Sequence, residues 1–274
     1  MSGSTPPSST ARADAGGRLI DGVLFDVDDT LIDTRGAFGV ALDQIVRAYL
    51  PDVDGTRRDE VVAVWRADAT GHYARYARGE MGYQEQRMAR ANELQATFGG
   101  ALLDDEAYGA WNAVFEDGFT RAWAAHPDAH DTVDLLLAAG VAVGALSNAA
   151  VAYQTSKLDR VGLSGRVPML VGVDTLGVGK PDPRVFLEAC RRLGTEPART
   201  AYVGDELDVD ARAAVAAGLS GVWVDRPGPR RVEVPDDDIA AAREAGILVV
   251  TSLTDLPAAL GLVGPQQVNW PTSC

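Results

Sequence analysis

The chain is short of cysteine, histidine and positive charge. Its 274 residues include two cysteines, Cys190 and Cys274, which argues against a disulfide framework and favours a reducing compartment, so we expect a cytoplasmic protein. The three histidines (His72, His126 and His130) lack metal-ligand spacing. Lysine and arginine total 25 against 39 aspartates and glutamates, a net charge of −14. This charge argues against nucleic acid or an anionic membrane as a partner.

The sequence also lacks a long hydrophobic run. A membrane-spanning helix needs about 20 consecutive apolar residues, and no such run occurs. Residues 1–18 are rich in Ser, Thr, Pro, Ala and Gly without an apolar segment, which predicts a disordered tail rather than a signal peptide. We expect residues 263–274 to form a C-terminal tail. The remaining length is enough to bury the core of one large domain or two smaller ones.

Two sequence patterns divide the rest of the chain. Residues 19–34 and 127–262 alternate short apolar runs with helical segments, which predicts an α/β fold with a parallel sheet covered on both faces. Residues 35–126 show helical periodicity without a convincing strand, which predicts an inserted all-helical module. Such a module would lie over the carboxyl end of the first strand, where parallel sheets bind ligands. The region after Arg226, including residues 235–238, is interpreted as loop.

The strongest chemical signal follows the first predicted strand. The apolar residues 23–25 lead into Asp26 and Asp28, which are followed by Thr30. Because side chains alternate along a strand, the two carboxylates can converge at its end. They indicate either a site for a divalent cation or a nucleophile paired with an acid.

The pattern D-x-D-x-T is not specific by itself, because it occurs twice. Residues 52–56 also match it, but no buried strand leads into them. Asp54 and Gly55 are typical of a turn, and Thr56 resembles the first residue of a helix-capping pair. We therefore interpret this second copy as a loop.

Three later apolar runs also end in polar residues. Ser147 and Asn148 follow the second run, Lys180 follows the third, and Asp205 and Asp210 follow the fourth. Each group has a plainer interpretation, namely a turn, a solvated lysine, and acids at a helix N-terminus. Four sheet elements that carry Asp-x-Asp, Ser, Lys and Asp to one edge nevertheless favour a shared site.

Other catalytic templates do not fit. No G-x-G-x-x-G follows a strand, and Pro181 after Lys180 is incompatible with a P-loop. Ser147 lacks the flanking glycines of a nucleophile elbow.

Together, the motifs resemble those of the haloacid dehalogenase superfamily of hydrolases, in particular the phosphatase-like branch with a helical cap, subfamily I. Four stretches carry the resemblance, in the order of the family's motifs: 25–31, 146–148, 179–183 and 203–210. The likeness extends over nearly all of residues 19–262. It implies a Rossmann-like doubly wound parallel sheet as catalytic core (19–34 and 127–262) and an inserted helical cap (35–126).

The resemblance implies a role for each carboxylate of the motifs. Asp26 would be the nucleophile that forms an aspartyl-phosphate. Asp28 would protonate the leaving oxygen and later take a proton from the hydrolytic water. Mg²⁺ would be bound by the Asp26 carboxylate, the Asp28 main-chain carbonyl and Asp205. Asp210 would support the metal through its waters or orient Lys180.

The same resemblance implies the phosphate-binding groups. Ser147, Asn148 and Lys180 would hold the phosphoryl oxygens, where negative charge must be stabilised. Thr30 would be a phosphate-side or structural hydroxyl. In the helical module, Trp65 is expected to be packed inside. Possible substrate contacts there are His72, Arg75, Tyr76, Arg78, Arg87 and Arg90.

Asp28 separates the branches of the family, because dehalogenases lack an acid at the matching position and a halide leaving group needs no proton. We therefore expect a magnesium-dependent phosphatase of a small phosphorylated metabolite, either a sugar phosphate or a nucleotide monophosphate. The protein would be a monomer or a homodimer. The alternatives are a phosphosugar mutase or another phosphoryl transferase, and, less favoured, a dehalogenase or a non-catalytic binding module.

Overall fold

The structure is a computed structural model that describes residues 20–228 and 233–262. The predicted tails, 1–18 and 263–274, lie outside the described residues. Within the described part, six parallel strands form one sheet in the order β3-β2-β1-β4-β5-β6. They are β1 Gly22–Phe25, β2 Ala142–Leu146, β3 Met169–Val171, β4 Thr200–Gly204, β5 Ser220–Val224 and β6 Leu248–Val250. The predicted α/β class is confirmed.

Alternation along β1 explains why the strand is apolar throughout. Leu24 packs on one face of the sheet with Leu146 and Tyr202, while Val23 and Phe25 pack in the cluster on the other face. Because helices cover both faces, every side chain of the strand is buried.

Twelve α-helices lie between or after the strands in the described ranges. Those between β1 and β2 are α1 Thr34–Tyr49, α2 Arg58–Ala67, α3 His72–Ala77, α4 Tyr83–Thr97, α5 Asp105–Arg121 and α6 Ala129–Ala138. Those that follow are α7 Val151–Arg160, α8 Val173–Leu176, α9 Pro183–Leu193, α10 Ala213–Ala216, α11 Asp236–Glu244 and α12 Leu256–Ala259. None of them has the length and apolarity needed to span a membrane.

Helices α1, α2, α4 and α5 share an apolar core of their own. Its centre is aromatic: the Trp65 ring lies 5.1 Å from that of Phe115, which lies 5.5 Å from that of Trp111. Trp65 is buried, as predicted. The two chain segments that connect this module to the sheet run side by side, since the Asp33 amide donates to Ala124 at 2.9 Å. Two connecting segments that are hydrogen-bonded to each other therefore link the helical module to the sheet.

Two local interpretations change with the structure. Residues 235–238 are not all loop, because α11 begins at Asp236. Its first turn consists of acidic residues, which the N-terminal end of the helix dipole stabilises. In the second D-x-D-x-T copy, the capping residue is Asp54, whose carboxylate accepts from the Thr56 amide at 2.8 Å. That copy is a capped turn at the surface.

Candidate active site

The sheet register brings three of the predicted site residues to one edge. Phe25 of β1 lies opposite Ala145 of β2 and Val203 of β4. Asp26 therefore leaves the sheet beside the ends of both neighbouring strands, where Ser147 and Asp205 follow. The strand order reverses at β1, and such a switch point forms a crevice at the carboxyl ends of the strands.

Lys180 joins the carboxylates at this edge. Its Nζ donates to Asp26 Oδ1 at 2.8 Å, to Asp210 Oδ1 at 2.7 Å and to the Tyr202 hydroxyl at 2.7 Å. Tyr202 in turn donates to the Leu146 carbonyl at 2.9 Å. Burial lowers the pKa of Lys180, but the negative charges of Asp210 and Asp26 together raise it by more, so the net pKa lies well above its ordinary value. Lys180 is thus a permanent cation between two carboxylates.

Asn148 holds the backbone of Lys180. Its Oδ1 accepts from the Lys180 amide at 2.6 Å, and its Nδ2 donates to the Lys180 carbonyl at 2.9 Å. The residue before Lys180 must be small, since a Cβ on Gly179 would lie 2.3 Å from Asn148 Oδ1. Asn148 lines the cavity, but both ends of its amide are engaged in positioning Lys180.

Three carboxylates could hold a cation. Oxygen atoms of Asp26, Asp205 and Asp210 all lie within 4.8 Å of one another. Burial raises the pKa of Asp26 to about 8, against the opposing effect of Lys180 and with additional repulsion from Asp210. Burial and the repulsion of Asp29 and the other carboxylates raise the pKa of Asp205 well above its ordinary range. These hard oxygen donors fit a divalent metal ion such as Mg²⁺, which would relieve the repulsion.

Asp28 is held from three directions. Its carboxylate accepts from Lys157 Nζ, Thr34 Oγ1 and Gln154 Nε2, each at 2.5 Å. Burial raises the pKa of Asp28, but the charge of Lys157 and these hydrogen bonds lower it more, so the net pKa is below its ordinary value. Gln154 Nε2 also donates to Ser147 Oγ at 2.8 Å. Asp28 and Ser147 therefore share one positioning amide.

Lys157 and Gln154 were missed in the sequence, although two signals were available. They lie three residues apart on α7 and so share the face that points at the strand ends. The chain also contains only two lysines, Lys157 and Lys180. Both are buried, and each pairs with one aspartate of the first motif. The scarcity of lysine is the clearer of the two signals.

Thr30 does not reach the cavity. Its side chain is fully buried, and its hydroxyl has no hydrogen-bond partner among residues 20–228 and 233–262. The reason is the backbone at Asp29, whose positive φ of 58° ends the strand-like alternation that places Asp26 and Asp28. The predicted phosphate-side role of Thr30 is therefore not supported by this geometry, which leaves the structural one.

A cavity of about 590 Å³ lies between the strand ends and the helical module. Asp26, Asp28, Ser147, Lys180 and Asp205 all line it. From the helical module, Tyr76, Arg87 and Arg90 line it too, whereas His72, Arg75 and Arg78 are not part of its wall. The predicted site residues of the four motifs, other than Thr30, thus all line one cavity.

A sequence model described as haloacid dehalogenase-like hydrolase matches residues 20–218, more than half of the chain. The chain belongs to the haloacid dehalogenase-like hydrolases. The predicted family, its Rossmann-like sheet and the assignment as a hydrolase are confirmed.

The chain is similar in sequence to two curated phosphatases and similar in fold to a haloacid dehalogenase of known structure. The chain is 28% identical over 229 residues to a glyceraldehyde 3-phosphate phosphatase from Methanopyrus kandleri, covering 80% of this chain and 90% of that protein. It is 30% identical over 191 residues to an N-acetylmuramic acid 6-phosphate phosphatase from Pseudomonas aeruginosa, covering 68% and 73%. The structure of L-2-haloacid dehalogenase from Xanthobacter autotrophicus matches with a TM-score of 0.66 at 21% identity, covering 89% and 100%. That last likeness shows the fold alone.

Proposed function

We propose that this protein is a magnesium-dependent phosphomonoesterase that acts on a small phosphorylated metabolite through an aspartyl-phosphate. The observation that carries the proposal is the placement of Asp26 beside Lys180 and two further carboxylates, with a second acid, Asp28, on the same cavity. The names of the relatives, both phosphatases of sugar phosphates, support the same reaction class.

In the first half-reaction, Asp26 attacks phosphorus and the bond to the leaving oxygen breaks. Asp28 donates a proton to that oxygen, so an alcohol leaves rather than an alkoxide. Because Lys157 and the hydrogen bonds to Asp28 hold its pKa below the ordinary value, Asp28 must take up that proton from solvent as the substrate binds. In the second half, Asp28 takes a proton from water, which attacks the phosphoryl group and releases inorganic phosphate from Asp26. Lys180 and Ser147 stabilise the charge that develops on the phosphoryl oxygens.

The metal would be held by Asp26 and Asp205, with the main-chain carbonyl of Asp28 and with Asp210 in support. When bound, it supplies positive charge that lets a carboxylate approach a phosphate dianion. The Asp205 carboxylate suits this role because no described residue donates a hydrogen bond to it. Asp210 also orients Lys180 and is itself held by the Glu206 amide at 2.9 Å.

Magnesium affinity is expected to increase with pH. In the metal-free protein the pKa of Asp26 is about 8, so near neutral pH the metal must displace a proton, and the affinity rises up to about tenfold per pH unit for one released proton. The same raised pKa means that folded, metal-free Asp26 holds a proton that the unfolded chain has lost. The free energy of unfolding of the metal-free protein should therefore decrease as pH rises from 3.8, the ordinary pKa of Asp26, to about 8. Calorimetric titration in buffers of different ionisation enthalpy measures both affinity and proton release. An affinity that stays constant over this range would contradict the prediction, and Asp26→Asn should flatten the profile.

We propose that residues 35–126 act as a cap that closes over the catalytic core (19–34 and 127–262) and excludes water. The paired linkers at Asp33 and Ala124 support this division. We also assign the protein to the cytoplasm, as its two cysteines suggest. A monomer or a homodimer is compatible with this site.

The proposal is tested with a generic aryl phosphate. Purified protein with Mg²⁺ should release phosphate at a steady rate, because water completes the cycle, and a chelator should stop the release until Mg²⁺ is added back. Absence of turnover with Mg²⁺ would refute the proposed activity. A mutase would instead return the phosphoryl group to the substrate, with little free phosphate. Asp28 at the cavity disfavours a dehalogenase, and release of halide from a 2-haloacid would restore that alternative.

A further inference from the structure

Aromatic rings line the part of the cavity that the helical module forms, which is where the leaving group of a bound substrate would lie. Three tyrosines of the helical module, Tyr73, Tyr76 and Tyr83, form part of its wall. The rings of Tyr73 and Tyr76 lie 6.0 Å apart, and those of Tyr76 and Tyr83 lie 5.7 Å apart. Such rings offer flat apolar faces with hydroxyls at their edges. The wall therefore suits a ring or a polyhydroxy chain rather than a bare charge.

Charge in the cavity is unbalanced in one direction. Among the described residues, seven carboxylates and five cations line it. Two of the cations, Lys157 and Lys180, are paired with Asp28 and Asp26. The other three are arginines of the helical module, and their partners decide whether a second anionic group could bind.

Each of these arginines already has an acidic partner. Arg66 lies 3.7 Å from Asp29. Arg90 lies 3.8 Å from Asp68 and also donates to the Trp65 carbonyl. Neither arginine offers an uncompensated charge to a ligand.

Arg87 is the most strongly paired of the three. Its Nη2 donates to Glu116 at 2.6 Å, and its guanidinium lies 4.3 Å from the centre of the Phe115 ring. The Arg87 side chain is only 6% exposed and that of Glu116 is 28% exposed, so Glu116 is the member that meets an incoming ligand. A carboxylate on the leaving group would face the negative charge of Glu116, and the positive charge of Arg87 is already paired with Glu116.

We propose that this site selects phosphate esters whose alcohol is uncharged and sugar-like, and that Glu116 rejects carboxylated alcohols by holding Arg87. This inference rests on the proposed phosphatase function. Glu116, which lines the cavity, is the specificity residue in this proposal and belongs to none of the four motifs.

The test uses competition against aryl phosphate hydrolysis, so that compounds need only bind. Two matched pairs differ in a carboxylate: glyceraldehyde 3-phosphate with 3-phosphoglycerate, and the open-chain glucitol 6-phosphate with 6-phosphogluconate. In the wild type, the uncharged member of each pair should bind at least about tenfold more tightly, as expected for one unpaired charge. Equal or tighter binding of the carboxylated members would overturn the inference.

Glu116→Gln should free Arg87 and tighten binding of the carboxylated members about tenfold, leaving the uncharged members within about threefold. The matched control is Glu106→Gln, an exposed glutamate in the first turn of the same helix, which removes the same charge without freeing an arginine. Adding Arg87→Gln to Glu116→Gln should cancel the gain. If both glutamate variants give the same ratio, Glu116 has no such role.

Failure of the proposed function gives a different result, since the wild type would not hydrolyse the aryl phosphate at all. If Glu116→Gln does not fold, the wild-type ratios alone still decide the preference for uncharged alcohols.

Discussion

Asp26→Asn should lower kcat for phosphate esters by at least about 10⁴-fold, the scale of losses when a nucleophile is removed. An amide is a poor nucleophile toward phosphorus, so no acyl phosphate forms. The substitution also removes one of the two carboxylates that Lys180 contacts. Steady-state phosphate release, with thermal unfolding as a check on the fold, measures the effect.

The chain supplies its own control for this variant. Asp52 is the first acid of the second D-x-D-x-T copy and is exposed in the turn before the capping residue Asp54. Asp52→Asn makes the same chemical change in the same sequence pattern, and its activity should stay at the wild-type level. Residual turnover of a few per cent or more in Asp26→Asn would show that Asp26 is not the nucleophile.

Lys157→Met should impair hydrolysis according to the leaving group. Lys157 holds Asp28, the proposed proton donor, and its Nζ lies 5.0 to 5.7 Å from the centres of three aromatic rings. An alkoxide is a poor leaving group that needs the proton from Asp28. Loss of Lys157 also removes the charge that lowers the pKa of Asp28, but loss of the position of Asp28 should outweigh this, so kcat/KM for alkyl phosphates should fall by about 10² to 10³-fold. Aryl phosphates with acidic leaving groups should lose less than about tenfold, because general acid assistance matters little for them.

A purely structural role for Lys157 would reduce both substrate types alike, and that outcome would contradict the prediction. Asp28→Asn should give the same leaving-group dependence. The double variant should be no worse on alkyl phosphates than Asp28→Asn alone, since residues that act as one unit are not additive.

Much of the fold could be predicted because its signals are local. A strand buried on both faces must be apolar throughout. Each apolar run of the sequence therefore lies within two residues of the bounds of an observed strand, namely the runs 23–25, 141–146, 169–173, 201–203, 222–224 and 247–250. Asp26, Ser147 and Asp205 follow from the same logic, as each is attached to the end of a strand. The misplaced helix start at Asp236 is also local, because several acids after a proline are typical of a loop as well as of the beginning of a helix.

The contacts that could not be predicted join distant parts of the chain. Lys157 and Asp28 are 129 residues apart, and Arg87 and Glu116 are 29 apart. Neither pair has a local pattern, because helix periodicity fixes which face a residue occupies but not which carboxylate it meets. The contacts of Asn148 also depend on a distant residue, so the sequence predicts it only as a phosphate-binding group. Only the folded chain shows that its amide is taken up by the backbone of Lys180.

A protein with two lysines offers an unusually simple spectroscopic probe. Isotopic labelling of lysine alone should give two side-chain ammonium resonances, one reporting on Asp26 and the other on Asp28. Because both groups are buried, slow exchange with solvent should keep their protons observable. Titration of a phosphate analogue would then follow the nucleophile and the proton donor separately, in a single spectrum, without any substitution in the chain.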